Sequence, residues 1–159
     1  MSGIIDSVGS KSGVVGSDVY PAGHVLQVVQ GTVQTAALAN SSATYATTNL
    51  EVTITPASSS NKVLVMVGQT YDTQVDERAI EFALYRDGSA VVTKFGYGYV
   101  RANDTLGRTI ATWNGSYLHS PSTTSSTTYQ LYARSVLNNL IYARYSGTAS
   151  TIIAMEIQG

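Results

Sequence analysis

Apolar and polar residues alternate with a period of two along most of this chain. Leu50, Val52 and Ile54 alternate with Glu51, Thr53 and Thr55, the pattern of a strand with one buried face. Val63, Val65 and Val67 repeat it, but Leu64 and Met66 between them are apolar too, so this strand is expected to be covered on both sides. Ile80, Phe82 and Leu84 alternate with Glu81, Ala83 and Tyr85 and lead into Asp87-Gly88. That dipeptide between strand patterns predicts a two-residue hairpin turn, with Val91-Val92 to Tyr99 as the returning strand. A β-branched run around Val25, Val28, Val29 and Val33 opens the series, and strands over 108–117, 127–136, 141–145 and 151–158 complete it. A helix over 76–84 would place Glu77 and Glu81 at i, i+4. The alternation of Ile80, Phe82 and Leu84 favours the strand.

The segments between these runs carry turn chemistry. Residues 56–61 read as a Ser-rich hairpin loop, and Asn138-Asn139 as a tight turn, because Asn tolerates positive φ. The longest loops are 35–47 and 119–126, both rich in Ser and Thr. About eight or nine antiparallel strands at spacings near ten residues predict an all-β domain over 24–159, a jelly-roll-like two-sheet β-sandwich. Residues 1–23 differ. They are rich in Gly and Ser, and show only the short apolar pairs Ile4-Ile5 and Val14-Val15, then Tyr20 and the turn signal Pro21-Ala22-Gly23. They read as an extended N-terminal arm that orders against a partner, with Ile4, Ile5, Val14, Val15 and Tyr20 as its attachment residues.

Composition narrows the function. Only 12% of the 159 residues are charged, about half the usual ~25%. Ser and Thr, 19 of each, take their place. The formal net charge of −1 lacks the basic excess that a nucleic-acid partner requires. With no Cys, disulfides and thiolate metal sites are excluded. No apolar run approaches the ~20 residues of a membrane-spanning helix, and the first residues do not resemble a secretory leader. An uncharged polar surface favours association, so the composition points to a component of an assembly.

Candidate chemistry is sparse. The two histidines, His24 and His119, are the available imidazole bases, and no G-x-S-x-G elbow accompanies them. Gly96-Tyr97-Gly98 begins like a dinucleotide-binding fingerprint, but its sixth position is Arg101 and no helix follows. Its glycines read instead as places of close backbone approach within a strand. The acidic cluster of Asp72, Asp76 and Glu77 lacks the spacing of a calcium loop. No catalytic residue, metal or cofactor is therefore expected. The richest feature is aromatic: Tyr97, Tyr99, Tyr129, Tyr132, Tyr142 and Tyr145 lie in or near predicted strands, with Arg101, Arg134 and Arg144 close by. Tyr and Arg are enriched at the centres of interfaces. This set is the candidate for a subunit interface or a glycan contact, against the simpler reading of cross-strand aromatic pairs.

Several segments in order resemble a virion structural domain of tailed bacteriophages. They are His24 to Gln30, Leu50 to Pro56 with Asn61 to Val65, Phe82 to Gly88, Ser116 to Pro121 with Thr127 to Tyr129, and Thr151 to Ile157. His119 stands where such domains often have Asp. The resemblance implies a non-enzymatic, trimeric β-structure of tail-fibre or head-decoration type, located in the virion. No shaft or baseplate anchor is read in the chain, so the expectation is a capsid decoration or cement protein, or a head fibre or knob. Its partners would be its own copies and the major capsid protein or another virion protein, reached through the arm. The alternative is a tail-fibre or receptor-binding tip that contacts host glycans. No nucleic acid or membrane partner is expected.

Overall fold

A computed structural model describes residues 21–31, 38–73, 78–100, 109–143 and 148–159. Ten strands form: β1 (Val25–Gln30), β2 (Leu38–Asn40), β3 (Ala46–Ile54), β4 (Lys62–Thr73), β5 (Arg78–Arg86), β6 (Ser89–Val100), β7 (Thr109–His119), β8 (Thr127–Ser135), β9 (Ile141–Ala143) and β10 (Thr151–Ile157). There is no helix among the described residues. Ile4, Ile5, Val14, Val15, Tyr20, Arg101, Arg144 and Tyr145 lie outside them.

Eight of the strands are nested antiparallel pairs. Arg86 faces Ser89 in β5–β6, Leu64 faces Leu118 in β4–β7, Leu50 faces Leu131 in β3–β8, and Val28 faces Met155 in β1–β10. All four pairs fold back about the same point in the chain, the Asp87–Gly88 turn. Both turn residues have positive φ, 48° and 81°, as a type I′ turn requires. Rolling this nested hairpin produces two sheets, β1-β10-β4-β7 and β3-β8-β5-β6. This is the order of an eight-stranded jelly roll. The short β9 and β2 extend the first sheet beside the far end of β4, making it six-stranded.

One expected hairpin is an arch. The 56–61 segment joins strands of different sheets, because β3 pairs with β8 while β4 pairs with β10 and β7. Pro56, which has no N–H for a ladder, is buried at the exit of β3. Asn61 N then donates to Ser58 O at 3.2 Å, turning the chain into the other sheet.

The core lies between the sheets. Leu50, Val52 and Ile54 of β3 and Ile80, Phe82 and Leu84 of β5 meet Val63, Val65, Val67 and Ile152 of the opposite sheet. Phe82 stacks on Trp113 with centroids 5.0 Å apart, and Phe95 meets the same indole edge-on at 4.9 Å. Glycine makes room for these rings. A Cβ at Gly96 would lie 2.1 Å from a Trp113 ring carbon, and one at Gly98 would lie 2.5 Å from the Tyr71 ring. Hence Gly96-Tyr97-Gly98-Tyr99: glycine inward against aromatic rings, tyrosine outward.

A buried carboxylate clamps the open end of the roll. Glu156 on β10 is 1% exposed. It accepts from Asn61 Nδ2 at 2.6 Å, Gln27 Nε2 at 2.6 Å and Ala57 N at 2.6 Å. Asn61 and Ala57 belong to the arch, and Gln27 to β1. Burial opposes the charge, but hydrogen bonds from Asn61, Gln27 and the Ala57 and Ser58 backbone outweigh it and hold the carboxyl below its ordinary value. Asn61 Oδ1 in turn accepts from Gly159 N at 3.2 Å.

Because the folded Glu156 binds its proton less readily than the unfolded one, its contribution to stability is full above the ordinary carboxyl range. It is lost as pH falls through the lowered folded value. Urea denaturation across acidic pH should show this decline, and Glu156→Gln should remove part of it while costing about 1–3 kcal/mol near neutrality. Separately, Gly96→Ala should destabilise the fold by about 1–3 kcal/mol through overpacking against Trp113. The same denaturation assay reads it, and an unchanged midpoint would contradict the close packing described.

Candidate functional site

The two outer faces differ in chemistry. On the six-stranded sheet, residues that face away from the core form cross-strand rows. Leu118, Leu64, Met155 and Val28 make one row through β7, β4, β10 and β1. Met66 and Ile153 stand in the next, between Ser116 and Gln30. Ile157 lies between Val25 and Lys62 on the other side. Val28 is 58% exposed, Leu118 50% and Met66 40%. The strand pattern of β4 predicts cover on both sides, yet only its inner side is covered by described residues. Four strands about 4.8 Å apart and about seven residues of ~3.3 Å rise give an apolar area on the order of 400 Å² in projection. A patch of that size equals the largest on an ordinary monomer, and such patches are often functional. The one charge in these rows is Lys62. Beyond Met66, Gly68 leaves an open depression of ≈ 430 Å³ bordered by Asn114, Ser116, Thr151 and Ile153.

The outer face of the four-stranded sheet is aromatic and polar. Tyr97 and Tyr99 stand on its edge strand, exposed, with ring planes 13° apart and centroids 6.5 Å apart. Tyr97 pairs with Glu81 on β5, and Glu81 with Arg134 on β8. Arg134 holds that carboxylate from Nη2 at 2.9 Å and Nε at 3.1 Å. Tyr45, from the segment before β3, donates its hydroxyl to the same Glu81 oxygen. Its ring lies under the Arg134 guanidinium at 4.8 Å, a cation–π contact. Lys94 N, in a bulge of β6 where Lys94 has φ 54°, donates to the Tyr45 hydroxyl at 3.3 Å. Burial first, then the bond to Glu81, pushes the Tyr45 pKa up, so the phenol keeps its proton. Next along the face, Tyr85 and Tyr132 stack at 4.0 Å, and Tyr45 meets Tyr85 edge-on at 6.3 Å. Beyond them Gln130 Nε2 donates to Glu51 at 2.6 Å.

Four members of the predicted Tyr/Arg set, Tyr97, Tyr99, Tyr132 and Arg134, therefore share one face. Tyr129 does not: it is 0% exposed, in the core, because its position on β8 alternates with the outward Tyr132 and Arg134. Tyr142 is half-buried on β9 in the other sheet. Arg101, Arg144 and Tyr145 lie outside the described residues. Sequence reasoning missed Tyr45 and Tyr85. Tyr85 was legible, being in phase with Glu81. Tyr45 lies in a loop, where no periodicity assigns a face.

His119 Nδ1 and the Tyr129 hydroxyl lie 2.8 Å apart. Burial, helped by the nearby Arg86 charge, lowers the imidazole below its ordinary range, while burial pushes Tyr129 up to about 12. The pair is therefore uncharged near neutral pH. Among the described residues there is no cluster of three or more side chains able to hold a metal ion.

No family model matches this chain, and no curated protein sequence matches it. Solved structures similar to it include the insecticidal delta-endotoxin Cry8Ea1 of Bacillus thuringiensis, at 12% identity and TM-score 0.36, over 77% of this chain and 20% of that one. Dimeric latent PorU of Porphyromonas gingivalis is similar at 10% identity and TM-score 0.41, over 87% of this chain and 14% of that one. The chain thus spans a fifth or less of either neighbour's length.

Arg134→Ala would strand the Glu81 carboxylate, which is 5% exposed in its side chain. The expected cost is about 2–3 kcal/mol, toward the low end for a buried pair because Arg134 is itself 30% exposed. Glu81→Gln in the same chain should recover part of it. A double-mutant cycle by chemical denaturation measures the coupling, and strict additivity would remove the pair from the account.

Proposed function

We propose that this chain is a non-enzymatic structural subunit that works as a homo-oligomer, in the setting of a virion surface as a trimeric capsid decoration protein. The observation that carries the reading is the aliphatic outer face of the six-stranded sheet. Val25, Val28, Leu64, Met66, Leu118, Ile153 and Met155 form one patch with almost no charge and little to hydrogen-bond. Such a surface suits burial against another protein face, where sheets pack about 10 Å apart. The low overall charge of the chain fits the same reading, since covered surface needs no solubilising charge. The virion setting rests on the resemblance of the ordered strand segments to phage virion domains. In that setting the arm over 1–23 reaches neighbouring capsid subunits. Binding the assembled shell but not free subunits stabilises the shell by mass action, and three arms on one trimer add avidity.

Analytical ultracentrifugation of the full chain should give a trimer at micromolar concentration. Met66→Lys with Leu118→Lys should give a monomer with unchanged far-ultraviolet circular dichroism, because two desolvated charges oppose closure of an apolar interface. A parent chain that sediments as a monomer would overturn the oligomer. Deleting residues 2–20 should abolish binding to capsids while leaving the oligomer intact; undiminished decoration by the truncated chain would overturn the attachment by the arm.

A further inference from the structure

The aromatic face of the four-stranded sheet is built differently from the aliphatic one, and the difference identifies a ligand class. From Tyr99 opposite Ala79 to Tyr85, the tyrosines follow β5 over six residue steps, about 20 Å at ~3.3 Å per step. Tyr99 and Tyr97 stand at one end, Tyr45 over the middle, and the Tyr85–Tyr132 stack at the other. The ion pair between them is matched within the face, Glu81 by Arg134, and beyond the Tyr85–Tyr132 stack the Glu51 carboxylate accepts from the neutral Gln130 amide. One face of the Tyr45 ring is taken by Arg134, and Tyr85 and Tyr132 cover each other, so the exposed rings of Tyr97 and Tyr99 are the free stacking surface, with phenol hydroxyls along the face. This surface suits a ligand that has both an apolar face and a hydroxylated edge.

We infer that this face is a binding platform for a neutral, linear saccharide. A pyranose ring presents axial C–H groups on one side and hydroxyls around its rim. The C–H side lies against the electron-rich face of a tyrosine ring. The hydroxyl rim meets the phenol groups and the outer edge of the Arg134 guanidinium, which keeps N–H donors beyond those directed at Glu81 and the Ala43 carbonyl. Tyrosine is suited to the role, giving large rigid contact area at small entropic cost. The platform is also held in place before any ligand arrives. Tyr45 is fixed by Glu81, Arg134 and Lys94 N, and Tyr85 is fixed by Tyr132, so little ordering is needed on binding. A protein partner would gain less here, since the face is crossed by the hydrogen-bonded Glu81–Arg134 ion pair. The apolar sheet on the other side of the sandwich is the better protein surface. The inference is independent of the oligomer, which uses that other sheet.

The test uses the full ¹⁵N-labelled chain titrated with neutral hexasaccharides of β-linked glucose, galactose, mannose and N-acetylglucosamine, followed by amide chemical shifts. At least one should move resonances concentrated on β5, β6 and β8. Tyr97→Ala and Tyr99→Ala should each weaken that binding roughly tenfold, the worth of one ring contact, while Tyr97→Phe keeps it. Sedimentation of the same samples should show the oligomer of the parent chain throughout. No shift with any of the four at millimolar concentration, shifts centred on the six-stranded sheet, or unchanged affinity in both alanine variants would each overturn the platform. An alanine variant that changes the oligomer and not saccharide binding would assign the face to a protein contact instead.

Discussion

Everything in this fold hangs on one nested set of antiparallel pairings closed at Asp87–Gly88. The turn accepts positive φ at two successive residues, which twists β5 and β6 in the sense that strands prefer. Once that innermost pair forms, the next pairs lie side by side in the same register sense. Rolling them places alternate pairs in opposite sheets. The roll is open at its far end, where β1, β10 and the start of β4 meet. There Glu156 takes donors from β1 and from the arch between sheets, and its burial makes loss of any one donor costly. A turn at one end and a carboxylate clamp at the other bound the structure.

Period-two alternation then distributes chemistry onto two unlike surfaces. On β6, inward glycines accept Trp113 and Tyr71, and this frees the outward positions for Tyr97 and Tyr99. On β4 and β10, most of the inward and outward positions are apolar, so the sheet has a core face and a second apolar face. One surface is thus suited to association by area alone. The other is suited to a ligand that can stack and hydrogen-bond at once. Each suggests a different partner, and the sandwich keeps them on opposite sides.

Much of the strand content was legible, because β3, β5 and β8 alternate cleanly and Asp-Gly is a sharp turn signal. The hairpin over 56–61 was misread for a physical reason. A Ser-rich loop between two strand patterns looks the same whether the strands pair or part, and only the competing pairs β3–β8 and β4–β10 decide it. The tyrosine set was partly legible. Tyr132 and Arg134 share a phase, and Tyr129 has the opposite one, so phase alone separates the outward pair from the core residue. Tyr45 and the Glu81–Arg134 pair were not legible, since they come from segments distant in sequence and join only through the sheet.

The sequence by itself determined the class of fold, the position of its pivot, the absence of thiol chemistry and the scarcity of charge. These follow from local rules: side-chain period, turn stereochemistry and composition. Which strands share a sheet, which apolar face stays uncovered, and which tyrosines stand together were decided by tertiary structure alone. Those outcomes depend on pairings between residues as far apart in sequence as Val25 and Ile157, and the choice among such pairings rests on packing and buried hydrogen bonds that no local window contains.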